Sequence, residues 1–240
     1  MKIDHHSPSS LNLFCVSPAL YVLQKFFREQ TPVGAAAHRG TAVEHGVAAV
    51  LAGETLQVGI DAAVEKYVAI TGLCIDPKRE EMQADIAPMV EMAAKDLAHL
   101  GKPTNTQGKI IWHPDGLVSP IHGYYDFHWA EENVTVDLKT SDKIQNTVKI
   151  SHARQVSFYA GGGNADARIT YCTPKKVHTL RVENVDFHRN ALKNVAERVE
   201  NFIGKSDDPN ELLAMTAPDL EHFYWMSGVA RALAFKYWKV

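Results

Sequence analysis

The sequence predicts an α/β fold, a mixed central β-sheet flanked by helices with a helical region at the N-terminus. Three observations carry that expectation. The first hundred or so residues have helical patterning, the stretch from Lys109 to Thr140 changes to β-type segments, and a helix, two strands and further helices follow. This order suits one α/β or α+β domain spanning 1–240. Its parts are a mainly helical region over 1–105, a sheet core over 106–186 and C-terminal helices over 187–240.

The elements follow from local chemistry. Ser9 or Ser10 can cap a short helix through LNLFCV, and Pro18 suits the first turn of a second helix running to about Arg28. A third covers Val33 to Leu51 and ends near Gly53. Asp61 to Ile70 and Pro77 to Leu100 read as further helices, the latter opened by Asp76-Pro77 and stopped by Gly101, with Pro103 following. KIIWH, the Leu117–Ala130 stretch and VTVDLKT read as strands. A helix from about His152 to Ala160 ends at three glycines. ARITYCT and HTLRVENVDF read as two more strands, and the pattern is helical from His188 onward. There is no internal repeat and no low-complexity tract.

Composition narrows the class. The 240 residues can bury a core, and 45% hydrophobic with 22% charged is ordinary for a soluble globular protein. No apolar run approaches a membrane span, and MKIDHHSPSS lacks the apolar stretch of a signal peptide, so a cytoplasmic location without membrane association is expected. The scattered Cys15, Cys74 and Cys172 suit free thiols. A formal net charge of −3 argues against nonspecific coating of nucleic acid by bulk positive charge, but leaves room for a local basic groove.

The chemistry centres on GYYDF and VTVDLKTS. In VTVDLKTS apolar and polar residues alternate, so Asp137 and Lys139 project from the same side of a strand. HGYYDFHWA supplies a partner strand, and Glu131-Glu132-Asn133 a short polar break. A turn centred between Glu131 and Glu132 sets Asp126 opposite Asp137, where Cβ atoms lie roughly 4.5–5.5 Å apart. Two carboxylates that close repel unless a cation sits between them. A third acid, Glu44, lies on the helix RGTAVEHGVAAVL four residues after Gly40. Gln155 and Tyr159, four apart, share a helix face. The bland alternatives are exposed hairpin charges, a glutamate facing water and a packing pair. A second triplet, Asp76-Pro77-Lys78, reads as a helix start and shows that an acid–x–lysine pattern means little without context.

Together these pieces resemble the PD-(D/E)XK nuclease superfamily, in particular its RecB-like and phage lambda-exonuclease-like (YqaJ) branches. HRGTAVEHG is similar to motif I, GYYDF to motif II, VDLKTS to motif III and QVSFY to the Q-x-x-x-Y motif. SPSSLNLFCVSPALYVLQKF is similar to the family's N-terminal element. The likeness runs from Ser7 to about Tyr171 and implies a restriction-endonuclease-like core. It implies that Glu44, Asp126, Asp137 and the carbonyl of Leu138 hold one or two Mg²⁺ or Mn²⁺ ions, hard cations that prefer oxygen. Lys139 would position or help deprotonate the attacking water, with Gln155 and Tyr159 at the edge of the site. The motif I slot could be filled by Glu44 or by the adjacent His45; about 100° of helix rotation separates them, and Glu44 is preferred. No C-terminal cysteine cluster exists for the iron–sulfur centre of some relatives, so none is expected.

The resemblance also implies DNA as the substrate. His38 and Arg39, one turn before Glu44, could bind phosphate. Thr140, Ser141, Lys143 and Arg154 could line a DNA track, as could Lys149 and His152, though a solvated charge cluster is the common alternative. Ser7 and Ser9 could meet a DNA-end phosphate or simply cap a helix. The expected activity is a metal-dependent DNA exonuclease in recombination, repair or phage DNA metabolism, in the host cytoplasm if phage-encoded. A recombinase or single-strand-binding protein is a possible partner. The competing readings are a non-catalytic module that holds DNA ends or a recombination partner, an endonuclease, and an RNA-directed hydrolase using the same site.

Overall fold

Capping side chains fix where the first helices begin in the structure, a computed structural model that describes residues 2–240. Ser7, rather than Ser9 or Ser10, caps α1 (Pro8–Val16): its hydroxyl accepts from the Ser10 amide and Pro8 fills the first turn. Ser17 caps α2 (Pro18–Phe26) in the same way. α3 (Ala35–Ala52) stops at Gly53, whose φ of 116° is left-handed. α4 (Leu56–Ile70) starts a turn and a half before the expected Asp61, because Thr55 accepts from the Val58 amide. The helix expected over Pro77–Leu100 is two helices, α5 (Arg79–Ala84) and α6 (Ile86–Leu97). Pro88 explains the break, since it has no N–H for the Ala84 carbonyl and its ring would clash with that carbonyl.

The chain divides into two compact units, one made of the chain up to Pro32 with Ile111–Gly123 and Asn190–Val240, the other of Val33–Ile110 and Tyr124–Arg189. The sheet contains β1 (Asn105–Trp112), β2 (Ile121–Trp129), β3 (Val134–Thr140), β4 (Asp166–Cys172) and β5 (Val177–Arg181), in that spatial order. β2 and β3 form an antiparallel hairpin, β3 and β4 run parallel, and β4 and β5 are antiparallel. A parallel pair needs a long crossover, and α7 (Ile150–Ala160) provides it. The expected α/β architecture with a mixed sheet is therefore observed. One strand is shorter than expected: ENVDF is not part of β5 but leads into α8 (Val185–Ile203).

In the second unit, strand alternation separates two apolar clusters. Val134, Val136 and Leu138 of β3 pack with Phe127 and Trp129 against Val43 and Val47 of α3 and Met89 and Val90 of α6. Ile169 and Tyr171 of β4 pack with Ala153 and Val156 of α7. The intervening β3 residues Thr135 and Asp137 are nonetheless fully buried. α3 and α4 approach so closely that a Cβ on Gly46 would lie 2.6 Å from the Gly59 carbonyl oxygen and 2.7 Å from the Ala63 Cβ.

In the first unit, α9 (Pro209–Ala214) and α10 (Gly228–Trp238) follow α8. Trp225 is buried with its indole N–H on the Ser17 hydroxyl at 3.1 Å, and Glu29 accepts from Lys236 and Tyr237. Glu200 accepts from the Val118 and Ser119 amides and pairs with the buried His6. No helix among the described residues is long and apolar enough to cross a membrane.

The α3–α4 contact leaves no room for a methyl group. Gly46→Ala is expected to destabilise the protein by about 1–3 kcal/mol, the cost of overpacking, seen as a lower midpoint in urea unfolding. Gly228→Ala, where an added Cβ meets nothing within 4 Å, is the control and should leave the midpoint near wild type.

Candidate active site

The β2–β3 register sets the site. Phe127 pairs with Val136, His128 with Thr135 and Trp129 with Val134. Continued by one residue, the same register puts Asp126 opposite Asp137, as the turn geometry predicts. The regular pairing stops short of that point. In its place the Leu138 amide donates to Asp126 Oδ2 at 2.7 Å. The carboxylate does a backbone carbonyl's work, which leaves no buried N–H unpaired where the two strands part.

Asp137 lies at the centre of the sheet with no exposed surface, and Asp126 is also buried. Lys139, on the same side of β3, brings Nζ to 2.6 Å from Asp137 Oδ2. That contact is one of charge and distance rather than of aligned hydrogen bonding, for Oδ2 is a buried oxygen with no well-directed donor. Gln155 on α7 donates to Asp137 Oδ1 at 3.4 Å and to the Tyr159 hydroxyl at 2.9 Å. Glu44 enters from α3, where Gly40 lets the helix lie against Thr140: a Cβ at Gly40 would be 3.2 Å from the Thr140 hydroxyl. Gln107 of β1 joins the acids, its side-chain amide donating to Glu44 Oε1 and to Asp126 Oδ1, the latter at 3.5 Å. Glu44, Gln107 and Asp126 line a cleft of about 420 Å³ together with Thr41, His45 and Lys66.

The electrostatics of these groups follow from crowding. Burial, with the Asp137 charge second, pushes the Glu44 carboxyl up to about 7 against the Lys139 charge. Burial and then the charges of Asp137 and Glu44 raise Asp126 well above the usual carboxylate range. Asp137 is also raised by burial, with the neighbouring ammonium opposing. For Lys139 burial favours the neutral amine, but the charges of Asp137 and Asp126 outweigh it and the net direction is upward. Lys139 is therefore an ammonium ion in this site, and three acids face one fixed cation.

A divalent cation suits this donor set. The carboxylates are hard oxygen donors, one buried oxygen lacks an aligned partner, and the acids are destabilised by one another's charge. Among the described residues, no three His, Cys, Asp or Glu side chains close around a single point; Lys139 lies against Asp137, and Gln107 against Glu44 and Asp126.

Thus Glu44, Asp126, Asp137, Lys139, Gln155 and Tyr159 come together, and Leu138 joins them through its amide. Of the two motif I candidates, Glu44 is half-buried among the acids, while His45 is exposed along the same cleft. The residues expected to touch DNA divide differently. Arg39 is 1% exposed and bound to Asp85 at 2.6 Å and Asp142 at 2.9 Å, so it braces α3 instead of presenting a cation to a ligand. Ser141 is turned to the Lys143 carbonyl. Lys143 and Lys149 are exposed, and His38, Thr140, His152 and Arg154 are half-buried. The His152 ring meets the Tyr171 hydroxyl at 2.9 Å, and burial with the Lys139 and Lys149 charges lowers its pKa to about 4. Ser7 and Ser9 belong to the first unit, where Ser7 is occupied in capping α1. Sequence reasoning missed Gln107 and Lys66, which carry no motif and reach the cleft through the path of β1 and the packing of α4 on α3.

Comparison with solved structures places this architecture among known folds. The chain is similar to a protein of Eubacterium rectale provisionally described as an exonuclease, with a TM-score of 0.58, 12% identity and coverage of 93% of this chain and 87% of that one. It overlaps the structure of SSO0001 over 76% of this chain and 85% of that one at 14% identity, but with a TM-score of only 0.36. At 12% identity the first likeness shows a shared fold. No protein-family model matches the chain, and no curated protein matches its sequence significantly.

The raised Glu44 carboxyl makes a signed claim about pH. Between its ordinary value of 4.5 and about 7 the folded state holds a proton that the unfolded state releases, so stability from this group falls as pH rises through that window. His152, neutral when folded, contributes the opposite slope between about 4 and 6.5. The difference between wild type and Glu44→Gln removes the His152 contribution and reports Glu44 together with the part of the Asp126 shift that the Glu44 charge causes. Measured by thermal melting in EDTA, Glu44→Gln should gain on wild type steadily from pH 5 to 7 and level off above about 7.

Proposed function

We propose that this chain is a Mg²⁺- or Mn²⁺-dependent DNA nuclease of the PD-(D/E)XK superfamily, RecB-like or lambda-exonuclease-like, acting as an exonuclease in recombination, repair or phage DNA metabolism. The observation that carries the reading is the juxtaposition of Asp126 and Asp137 across the hairpin, with Lys139 on the same strand side and Glu44 delivered by α3. The nuclease-like fold shared with the Eubacterium rectale protein supports it.

Glu44, Asp126, Asp137 and the Leu138 carbonyl would hold the metal. When bound, the cation would draw charge from a phosphate oxygen and make a nearby water more acidic. The chain's own residues do the rest. Lys139, with Nζ 2.6 Å from Asp137 Oδ2, would orient water and offset charge on the phosphate. Gln155 fixes the Asp137 carboxylate by donating to one oxygen, and Tyr159 anchors that amide. Lys66 at the cleft, with Lys143 and Lys149 on the surface after β3, supplies cations for the phosphate backbone.

Incubating linear, nicked and circular DNA, and RNA, with Mg²⁺ or Mn²⁺ tests the proposal. Linear DNA should be degraded, and Asp137→Ala and Lys139→Ala should each lower the rate by about a hundredfold or more. Absence of DNA cleavage with either metal, or activity that survives both substitutions, overturns the reading. Equal cutting of circular and linear DNA would make the enzyme an endonuclease.

A further inference from the structure

Gln107 stands in the middle of the acidic cluster, yet no motif includes it. An amide nitrogen carries two N–H donors, and here they point to two different acids, Glu44 on α3 and Asp126 on β2. These are two of the carboxylates that a cation would draw together. The amide offers them hydrogen bonds without a net charge.

The backbone that presents this amide is unusual. Gln107 has a φ of 52°, in the left-handed region that glutamine seldom enters. The following residue accounts for it. A Cβ on Gly108 would lie 2.0 Å from the ring and hydroxyl of Tyr125, so at this point the strand lies flat on the tyrosine and only glycine fits. With Gly108 pinned to the ring, the turn needed to aim a side chain at the acids falls on Gln107. Strain of this kind persists where surrounding packing enforces it. Gln107 is also exposed toward the cleft, so its side chain has room to leave.

We propose that Gln107 is a positioning residue that holds the cation's place: its amide keeps Glu44 and Asp126 together in the metal-free site and is displaced when a divalent ion enters. The proposal rests on the metal-site reading above. It gives the site a threshold, because an arriving ion must break two hydrogen bonds to carboxyl oxygens before it can bind. It also keeps the two acids at a fixed spacing while no ion is present.

Calorimetric titration of Mn²⁺ into the 240-residue chain, paired with thermal melting in EDTA and at saturating Mn²⁺, provides the test. Gln107→Ala should melt lower than wild type in EDTA, and the gap should close at saturating Mn²⁺. Its affinity for Mn²⁺ should rise by about tenfold, the size of one hydrogen bond to a charged group. Gln107→Met, which keeps the length and loses the donors, should behave alike and guards against a folding defect in the alanine variant. Weaker Mn²⁺ binding by both variants would make Gln107 a metal ligand and overturn the proposal. Unchanged affinity, or a melting deficit equal with and without metal, would make it a structural group only and likewise overturn it. If wild type binds no Mn²⁺, the metal-site reading falls and this inference with it; if wild type binds and the variants match it, only this inference falls.

Discussion

The crowding of negative charge in the middle of a β-sheet is the constraint on which the rest of the second unit depends. Asp137 has no access to water and Asp126 almost none, and a buried carboxylate is tolerable only if something answers its charge or its lone pairs. The neighbouring chain is arranged to do so. Lys139 is placed two residues on, the Leu138 amide is withheld from the strand ladder and given to Asp126, Gln155 is brought in by the crossover helix, and Gln107 reaches in from the edge strand. Removing Lys139 or Gln155 takes a partner from a carboxylate that has no access to water.

The helical scaffold serves the same end from outside. α3 can present Glu44 because it is fixed on two sides. Gly46 lets it close onto α4, and Arg39, buried, ties it to Asp85 and Asp142. An arginine one turn from a candidate acid invites a reading as a phosphate ligand, but its burial and its two aspartate partners assign it to the frame. A buried pair of this kind resists loss of either partner more than it adds net stability, and here the loop after β3 is one of the pieces held in place.

How much of this was legible in the sequence depended on the range of the interaction. The hairpin register could be read because two-residue alternation and a short polar break determine it, and the opposition of Asp126 and Asp137 followed. Gln155 and Tyr159 could be read because four residues is one helical turn. The split of Pro77–Leu100 at Asp85 was missed although Pro88, in the interior of that stretch, carried the signal, since a proline there breaks or kinks a helix. The tail of β5 was missed because ENVDF alternates like a strand but is claimed by α8. Gln107 was out of reach altogether: its role arises from a tyrosine seventeen residues away pressing on the glycine beside it, and no local pattern encodes that.

The two oxygens of Asp126 face different neighbours. Oδ2 accepts the Leu138 amide and so completes the sheet, while Oδ1 is turned toward Gln107 and the cleft. The same side chain is therefore part of the backbone's hydrogen-bond ladder and part of the site's charge. Alanine at this position would strip both functions at once, whereas asparagine retains an acceptor for the amide and gives up only the charge. Architecture and chemistry at Asp126 are separable by a single atom, and only a substitution that respects the strand can tell them apart.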